Sequence, residues 1–265
     1  MLAPSLDVIR RTLDAEASYT LSRLQVLERL PGNPVGIAYR RGEGGPLALM
    51  ARHLPVPYFN TVFGLEAGHE AHIEPLLAWY REHGVTPHFE VVPGLATADL
   101  CRALAKQGCF QSGFHSAFIR EPDATLADNE LLAIEHVTRR GIDEFLQTHA
   151  AGWAMRDSAG FKANTRGWID EPGWSLYLGR INGKPAATGV LYVKDKVGYC
   201  ADAATAPAFR GRGLQTALLQ RRIADASAAG VEFICGGAEF LSGSHRNMQR
   251  AGMRIQFVRA SWTAL

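Results

Sequence analysis

The chain has 265 residues, 47% hydrophobic and 20% charged, which excludes a disordered polymer and leaves room for one large domain or two of ordinary size. A formal net charge of +2 gives no global attraction to nucleic acid or to an acidic membrane surface. No apolar run approaches the roughly 18 residues that span a bilayer, Met1 to Ser5 lack the pattern of a signal peptide, and four cysteines scattered without a Cys-x-x-Cys pair point to a reduced, soluble, cytoplasmic protein.

In chain order, Leu6, Ile9, Leu13, Leu21, Leu24, Leu27 and Leu30 recur at helical spacing, so 5–30 reads as a helix stopped by Pro31-Gly32. Segments 34–39 and 47–54 are strand-like, split by the turn cluster 41–46, and 58–63 reads as a third strand. A helix at 73–83 closes at Gly84, a strand follows at 88–92, a helix at 97–107 stops at Gly108, and 114–119 is a strand. The second half repeats that order. Helices at 140–152 and 159–168 precede two strands, 174–181 and 186–193, joined through Asn182-Gly183, the dipeptide of a type I′ hairpin turn. A strand ending at Thr205, a helix at 213–229, a strand at 231–235, a helix at 244–251 and a closing strand at 255–262 complete the chain.

The spacing from Leu76 to Gly108 nearly equals that from Leu218 to Gly252. In each half a helix ends at glycine (Gly84, Gly230), a valine-containing strand follows, and a second helix closes with basic-x-Gly, as Lys106-Gln107-Gly108 and Arg250-Ala251-Gly252. Any alternating α/β chain has some self-similarity; these matched endings point further, to two copies of one domain, 1–122 and 131–265. The polar segment from Glu121 to Asn129, with Pro122 near its start, reads as the linker.

The most informative stretch is Phe209-Arg210-Gly211-Arg212-Gly213-Leu214-Gln215-Thr216, between the strand ending at Thr205 and a long helix. Strand, glycine turn and helix start form a device for holding a pyrophosphate. Glycine lets the backbone approach the ligand, unpaired N–H groups and the helix dipole favour negative charge, and Arg210 and Arg212 add charge-assisted contacts. The corresponding stretch of the first half, 63–70, carries Glu66 and Glu70 and no arginine, and carboxylates there would repel a pyrophosphate. Only the carboxyl-terminal half is expected to bind the cofactor.

Together with Ala206-Pro207 upstream and Asn247-Met248-Gln249-Arg250-Ala251-Gly252-Met253 downstream, this turn resembles that of the GNAT acetyltransferase superfamily, which reads Gln/Arg-x-x-Gly-x-Gly/Ala. Arg210 and Gly213 match; Gln215 stands where the family has Gly or Ala, making the pocket floor bulkier. The resemblance covers 131–265. It implies an α/β fold of two tandem GNAT-like domains, each a mixed, mostly antiparallel sheet flanked by helices. It implies acetyl-CoA as acyl donor and transfer to a primary amine of a small molecule or amino acid by direct attack on the thioester. The cofactor residues it implies are Arg210, Gly211, Arg212, Gly213, Leu214, Gln215 and Thr216 on the phosphates. Ala203, Ala204 and Thr205 lie on the splayed strand along the carrier arm, with Asn247 touching the same arm.

An alkylamine is mostly ammonium near neutral pH, so a base must take a proton. Tyr199 and Asp202 are the candidates; three apart on a strand they face opposite ways, and Asp202 reads equally as a solvated edge residue. Where the family often has a tyrosine to protonate the leaving thiolate, this chain has Met248, which cannot donate. Ser244 is then either a donor near the sulfur or an ordinary helix cap. The acceptor pocket falls to the segment holding Trp153, Met155, Arg156, Asp157, Phe161, Lys162, Trp168 and Trp174. Of these Trp153, Arg156 and Trp168 are the expected substrate contacts, with core packing the alternative for the tryptophans.

Other patterns exclude more than they suggest. His69-Glu70-Ala71-His72 sets its histidines three apart, whereas a zinc helix needs four, so no metal is expected. No Gly-x-Ser-x-Gly elbow is present, and the turn is not a nucleotide-hydrolysing P-loop. Arg221-Arg222, Arg246, Arg250 and Arg254 read as solvated faces rather than a nucleic-acid patch. An acyl-CoA sensor without turnover, or an enzyme acting on protein amines, is the alternative function. The acceptor and the oligomeric state are not written in these residues.

Overall fold

The computed structural model describes residues 5–42, 44–54, 56–124, 132–154 and 159–265. It divides into two compact units, residues up to Ala117 together with Gln256–Leu265, and Phe118–Ile255. Both are α/β, with mixed, mostly antiparallel sheets flanked by helices.

The amino-terminal unit contains α1 (Leu6–Glu28), β1 (Ile37–Arg41), β2 (Leu47–Ala51), β3 (Thr61–Leu65), α2 (Ile73–Glu82), β4 (His88–Val91), α3 (Ala98–Lys106) and most of β5 (Cys109–Arg120). The other unit contains β6 (Leu132–His136), α4 (Ile142–Trp153), α5 (Ala159–Gly167), β7 (Trp174–Ile181), β8 (Lys184–Lys194), β9 (Val197–Thr205), α6 (Leu214–Ala228), β10 (Phe233–Ala238) and α7 (Gly243–Arg250). The last strand, β11 (Arg254–Ala264), belongs from Gln256 onward to the amino-terminal unit.

In that unit the strand order is β1-β2-β3-β4-β11-β5, with β3 and β4 parallel and β11 antiparallel to β4. The run Leu47-Ala48-Leu49-Met50-Ala51 has no polar alternation because both its faces are covered. Leu47 and Leu49 pack with Leu24, Leu27 and Phe63 under α1, whereas Ala48 and Met50 pack with Leu77, Tyr80 and Leu104 of α2 and α3. β11 is tied in by charge as well as by its ladder. Arg259 donates to Glu16 Oε2 at 2.5 Å and Oε1 at 2.7 Å, and its Nε lies 2.5 Å from Glu90 Oε2, with Glu16 and Arg259 both about 96% buried.

The sheet of the carboxyl-terminal unit runs β10-β9-β8-β7-β6, with β9 and β10 parallel and the other pairs antiparallel. Asn182 and Gly183 join β7 to β8 with φ +49° and +75°, the two left-handed residues of the expected type I′ turn. Asp195 and Lys196 do the same between β8 and β9 with φ +47° and +59° and no glycine to announce it. Leu214, Leu218, Leu219 and Ile223 of α6 bury one face of the sheet against Ala187, Leu191, Cys200 and Ile234.

The matched helix endings share one geometry. Gly84, Gly230 and Gly252 have φ +66°, +73° and +76°, and in each case the next residue's N–H returns to a helix carbonyl: Val85 to Tyr80, Val231 to Ala226, Met253 to Met248. This is the Schellman ending, which requires the left-handed residue that glycine adopts without strain. Gly108 closes α3 with φ +79°.

The elements depart from the expected ones in a few places. The segment 58–63 opens as a 3-10 turn, Pro57–Phe59, before β3. β5 starts at Cys109 rather than at 114. β6 was not expected at all: its Leu-Ala-Ile-Glu-His sequence lies at the sheet margin, mostly exposed, with too short an apolar alternation to register. None of the four cysteines is in a disulfide among the described residues. Among the described residues no helix is long and apolar enough to cross a membrane.

Candidate functional site

The site is built where β9 gives way to α6. The register of β9 with β10 runs from Val197↔Phe233 to Cys200↔Gly236, and Ala201–Thr205 continues the strand beyond that last pair. On the other side the register with β8 slips: Val190 opposes Ala201, but Thr188 opposes Ala204, leaving one extra residue on β9. Asp202 lies in this bulge with φ +42°. The two-residue alternation expected to set Tyr199 and Asp202 on opposite faces therefore breaks at Asp202 itself. Tyr199 is 5% exposed and sits opposite Tyr192, while Asp202 is half-buried.

A buried arginine holds the bulge. Arg222 of α6 is 1% exposed, and its Nη1 donates to both Val190 O and Ala201 O at 3.1 Å while Nε donates to Leu218 O at 3.0 Å. Nη2 is buried without a partner among the described residues. A Cβ at Gly189 would come 3.0 Å from the guanidinium carbon, so a side chain there would push the arginine back by a few tenths of an ångström. The expectation that Arg222 belongs to a solvated face is thus corrected: it lies on the apolar side of α6, and its guanidinium donates to the carbonyls of Val190 and Ala201, the pair next to the slip in the ladder. The clue was its position four residues after Leu218 and one before Ile223.

Beyond Thr205 the chain turns through Pro207–Phe209 into Arg210-Gly211-Arg212-Gly213. Gly211 and Gly213 have φ +76° and +80°, with no atom closer than 3.8 Å to where a Cβ would stand, so conformation rather than crowding requires glycine at both. Gly213 caps α6 without any side-chain hydrogen bond, and the first N–H groups of that helix have no intrahelical acceptor. Arg210, Gly211, Arg212 and Gly213 are exposed, Leu214 is buried, and Gln215 and Thr216 are half-buried.

Arg210 is not idle: Nε donates to Thr205 O and Nη2 to Gly152 O, both at 3.3 Å, joining the turn to the end of β9 and to the end of α4. Gly152 is packed so tightly on β9 that a Cβ there would lie 2.6 Å from that of Ala204. Gln215 also serves the strand. Its Nε2 donates to Ala204 O at 2.9 Å and to Thr205 Oγ1 at 2.8 Å, so the bulk expected on the pocket floor is turned back against β9. Arg212 sits 5.7 Å from the centroid of Phe209.

The second wall is α7. Ser242, not Ser244, is its cap, accepting from His245 N at 3.1 Å. Ser244 is exposed, and Asn247 Oδ1 accepts from Arg250 Nη1 at 2.8 Å. Met248, 6% exposed, packs into the core against Gly236, whose Cβ would lie 3.2 Å from its methyl group. Between Ser244 and Asn247 stands a residue not picked out from sequence. His245 is 2% exposed, edge-on to Phe118 and Phe240 at 5.0 and 5.1 Å, with Nδ1 buried and unpartnered among the described residues. A histidine one turn into a short polar helix gives no periodic signal that it is buried.

The expected substrate segment is divided. Trp168 is fully buried, stacked on Trp174 at 5.2 Å, with Nε1 donating to Asn164 Oδ1 at 3.1 Å. Trp153 is half exposed at the end of α4, with its ring centroid 6.4 Å from that of His149. His149 is itself buried, with Nδ1 2.9 Å from Thr188 Oγ1, on the strand pair that carries the bulge. Arg156, Met155 and Asp157 lie outside the described residues.

Residues 134–253 match the acetyltransferase (GNAT) family model. Among solved structures, the fold is similar to that of the GCN5-related N-acetyltransferase from Kribbella flavida: 16% identity, 94% of this chain and 95% of that chain, TM-score 0.63. The corresponding values for the GCN5-related N-acetyltransferase from Sphaerobacter thermophilus are 15%, 95%, 92% and 0.60. For a tandem GNAT protein from the clavulanic acid biosynthesis pathway they are 14%, 99%, 96% and 0.63. At such identities the likeness is one of fold. No curated protein matches the chain in sequence.

Proposed function

Because residues 134–253 form an acetyltransferase (GNAT) domain, we propose that this enzyme transfers acetyl from acetyl-CoA to a primary amine of a small molecule or amino acid. The observation that carries the reading is a juxtaposition. The start of α6, without a side-chain cap and behind two left-handed glycines, follows a stretch of β9, Ala201–Thr205, that extends beyond the last register pair with β10. The first feature suits a diphosphate and the second suits an amide-bearing arm. In this reading the N–H groups at Gly213–Thr216, with Arg210 and Arg212, hold the phosphates, and the edge at Ala203–Thr205 with Asn247 holds the arm. Acetyl-CoA supplies an acetyl group already activated as a thioester. Tyr199 or Asp202, directly or through water, removes the proton from the attacking ammonium, and Ser244 is the donor available beside the departing sulfur. Trp153 and Arg156 contact the acceptor.

The reading includes tandem domains, 1–122 and 131–265, the first without a cofactor site and completed by the strand that the second sends it from Gln256 onward. Pairing of β3 with β4 persists to Leu65↔Val91, at the end of both strands, which supports that difference between the halves. Gly64, with φ +75°, occupies an irregularity of β3 as Asp202 does on β9, which supports common descent of the two halves. The domain is expected to act in the cytoplasm.

A second reading, acyl-CoA binding without turnover, is favoured by Met248, which fills core space where the family often has its proton donor. Thiol release separates the two. Incubation with acetyl-CoA and a panel of amino acids, polyamines and amino-terminal peptides should free coenzyme A with at least one small amine. Binding without release across the panel supports the sensor; release with peptides only moves the acceptor to protein.

A further inference from the structure

The amino-terminal unit has a cavity of its own, about 230 Å³, beneath α1 and beside the ends of β1 and β3. Its floor is apolar: Leu13 and Ala17 of α1, Leu47 of β2, Phe63 of β3, and Leu95. Its rim carries both signs of charge, with Arg10 and Arg41 against Asp14 and Glu66. Arg10 Nε already pairs with Glu66 Oε2 at 3.0 Å, in a half-exposed bridge that an incoming ligand can share. Gly44 and Gly64 line it as well, and a Cβ at either would meet no described atom within 4 Å.

We propose that this cavity binds a free α-amino acid with an apolar side chain, independently of the acetyl-transfer site. The volume lies below the range of about 300–1,000 Å³ typical of drug-sized ligands, so the occupant is small and is not a coenzyme. A simple anion would meet Asp14 and Glu66; a simple cation would meet the arginines. A zwitterion satisfies both, its carboxylate on the planar fork of Arg41 and its ammonium toward Glu66 and Asp14. The apolar floor takes the side chain.

Calorimetry on the full chain with L-leucine and L-phenylalanine is the test. Saturable binding of at least one is expected, weakened more than tenfold in Arg41→Ala and in Glu66→Gln. Isopentylamine and 4-methylpentanoate, each lacking one charge of leucine, should not bind. Trp153→Ala, which removes a proposed acceptor contact in the other unit, should leave the affinity unchanged and so separates this site from that acceptor pocket. Absence of binding by both amino acids, affinity indifferent to both rim variants, or equal binding by a singly charged analogue overturns the proposal. Arg41 is exposed, so its variant should keep the parent circular dichroism; should it fail to fold, Glu66→Gln decides.

Discussion

Gly213 shows how much can depend on one missing Cβ. At φ +80° any L-residue with a side chain is strained by roughly 1–2 kcal/mol, and the relief is to rotate the peptide that aims the first N–H groups of α6. Gly213→Val is expected to lower acetyl-CoA affinity more than tenfold in calorimetry while thermal unfolding shifts by only a few degrees. Unchanged affinity would remove the turn from the site. Arg222 makes a different demand. Replacing it with methionine leaves the Val190 and Ala201 carbonyls beside an apolar chain, and each buried acceptor left unpaired costs about 1–3 kcal/mol. Urea unfolding should show a loss of about 2–5 kcal/mol, and a stability equal to the parent's would mean that the bulge holds itself. These two residues also mark what a sequence can disclose. The turn glycines advertise their conformation because few residues tolerate it, whereas Arg222 is spelled like any surface arginine and only the slipped ladder beside it gives it work.

Elements whose ends carry special chemistry were legible; elements defined by their neighbours were not. Asn182-Gly183 named its hairpin, and the basic-x-Gly endings named two helix stops, because positive φ selects residue type. Asp195-Lys196 makes the same kind of turn with residues that say nothing of it, and β6 is a strand chiefly because β7 pairs with it from Leu132 to His136. β5 conceals a titratable group. Burial first, and then the charge of Arg259, lower the His115 pKa from 6.5 to about 4, with Glu16 opposing. Folding therefore favours neutral His115. Its contribution is intact above about pH 6.5 and is lost as pH falls toward about 4, a difference of up to about 3 kcal/mol. His115→Gln should flatten this part of the stability profile; urea midpoints at pH 7 and pH 4.5 that fall equally in parent and variant would show that other groups set the acid limb.

At the scale of the whole molecule, the largest surprise is the destination of the last strand. Segment 255–262 reads as an ordinary closing strand, and its alternation states only that it is half-buried, not against which sheet. It enters the amino-terminal unit between β4 and β5, and Arg259 carries its charge to Glu16 and Glu90 there. Removing one member of a buried ion group typically costs about 3–5 kcal/mol, so Arg259→Leu should lower the unfolding midpoint of that unit most. A fragment ending at residue 122 should remain unfolded by circular dichroism and regain structure when a peptide of residues 254–265 is added; a fragment that folds alone would show the strand to be dispensable. Synthesis of the chain inherits this arrangement. Nascent domains ordinarily settle in the order in which they emerge, at about 5–20 residues per second, but here the earlier half must wait, its sheet open at an interior position, until residues 256–265 have been made. For roughly 10–30 s that gap is exposed to any stray strand, and during this interval the growing polypeptide has its greatest need of a chaperone.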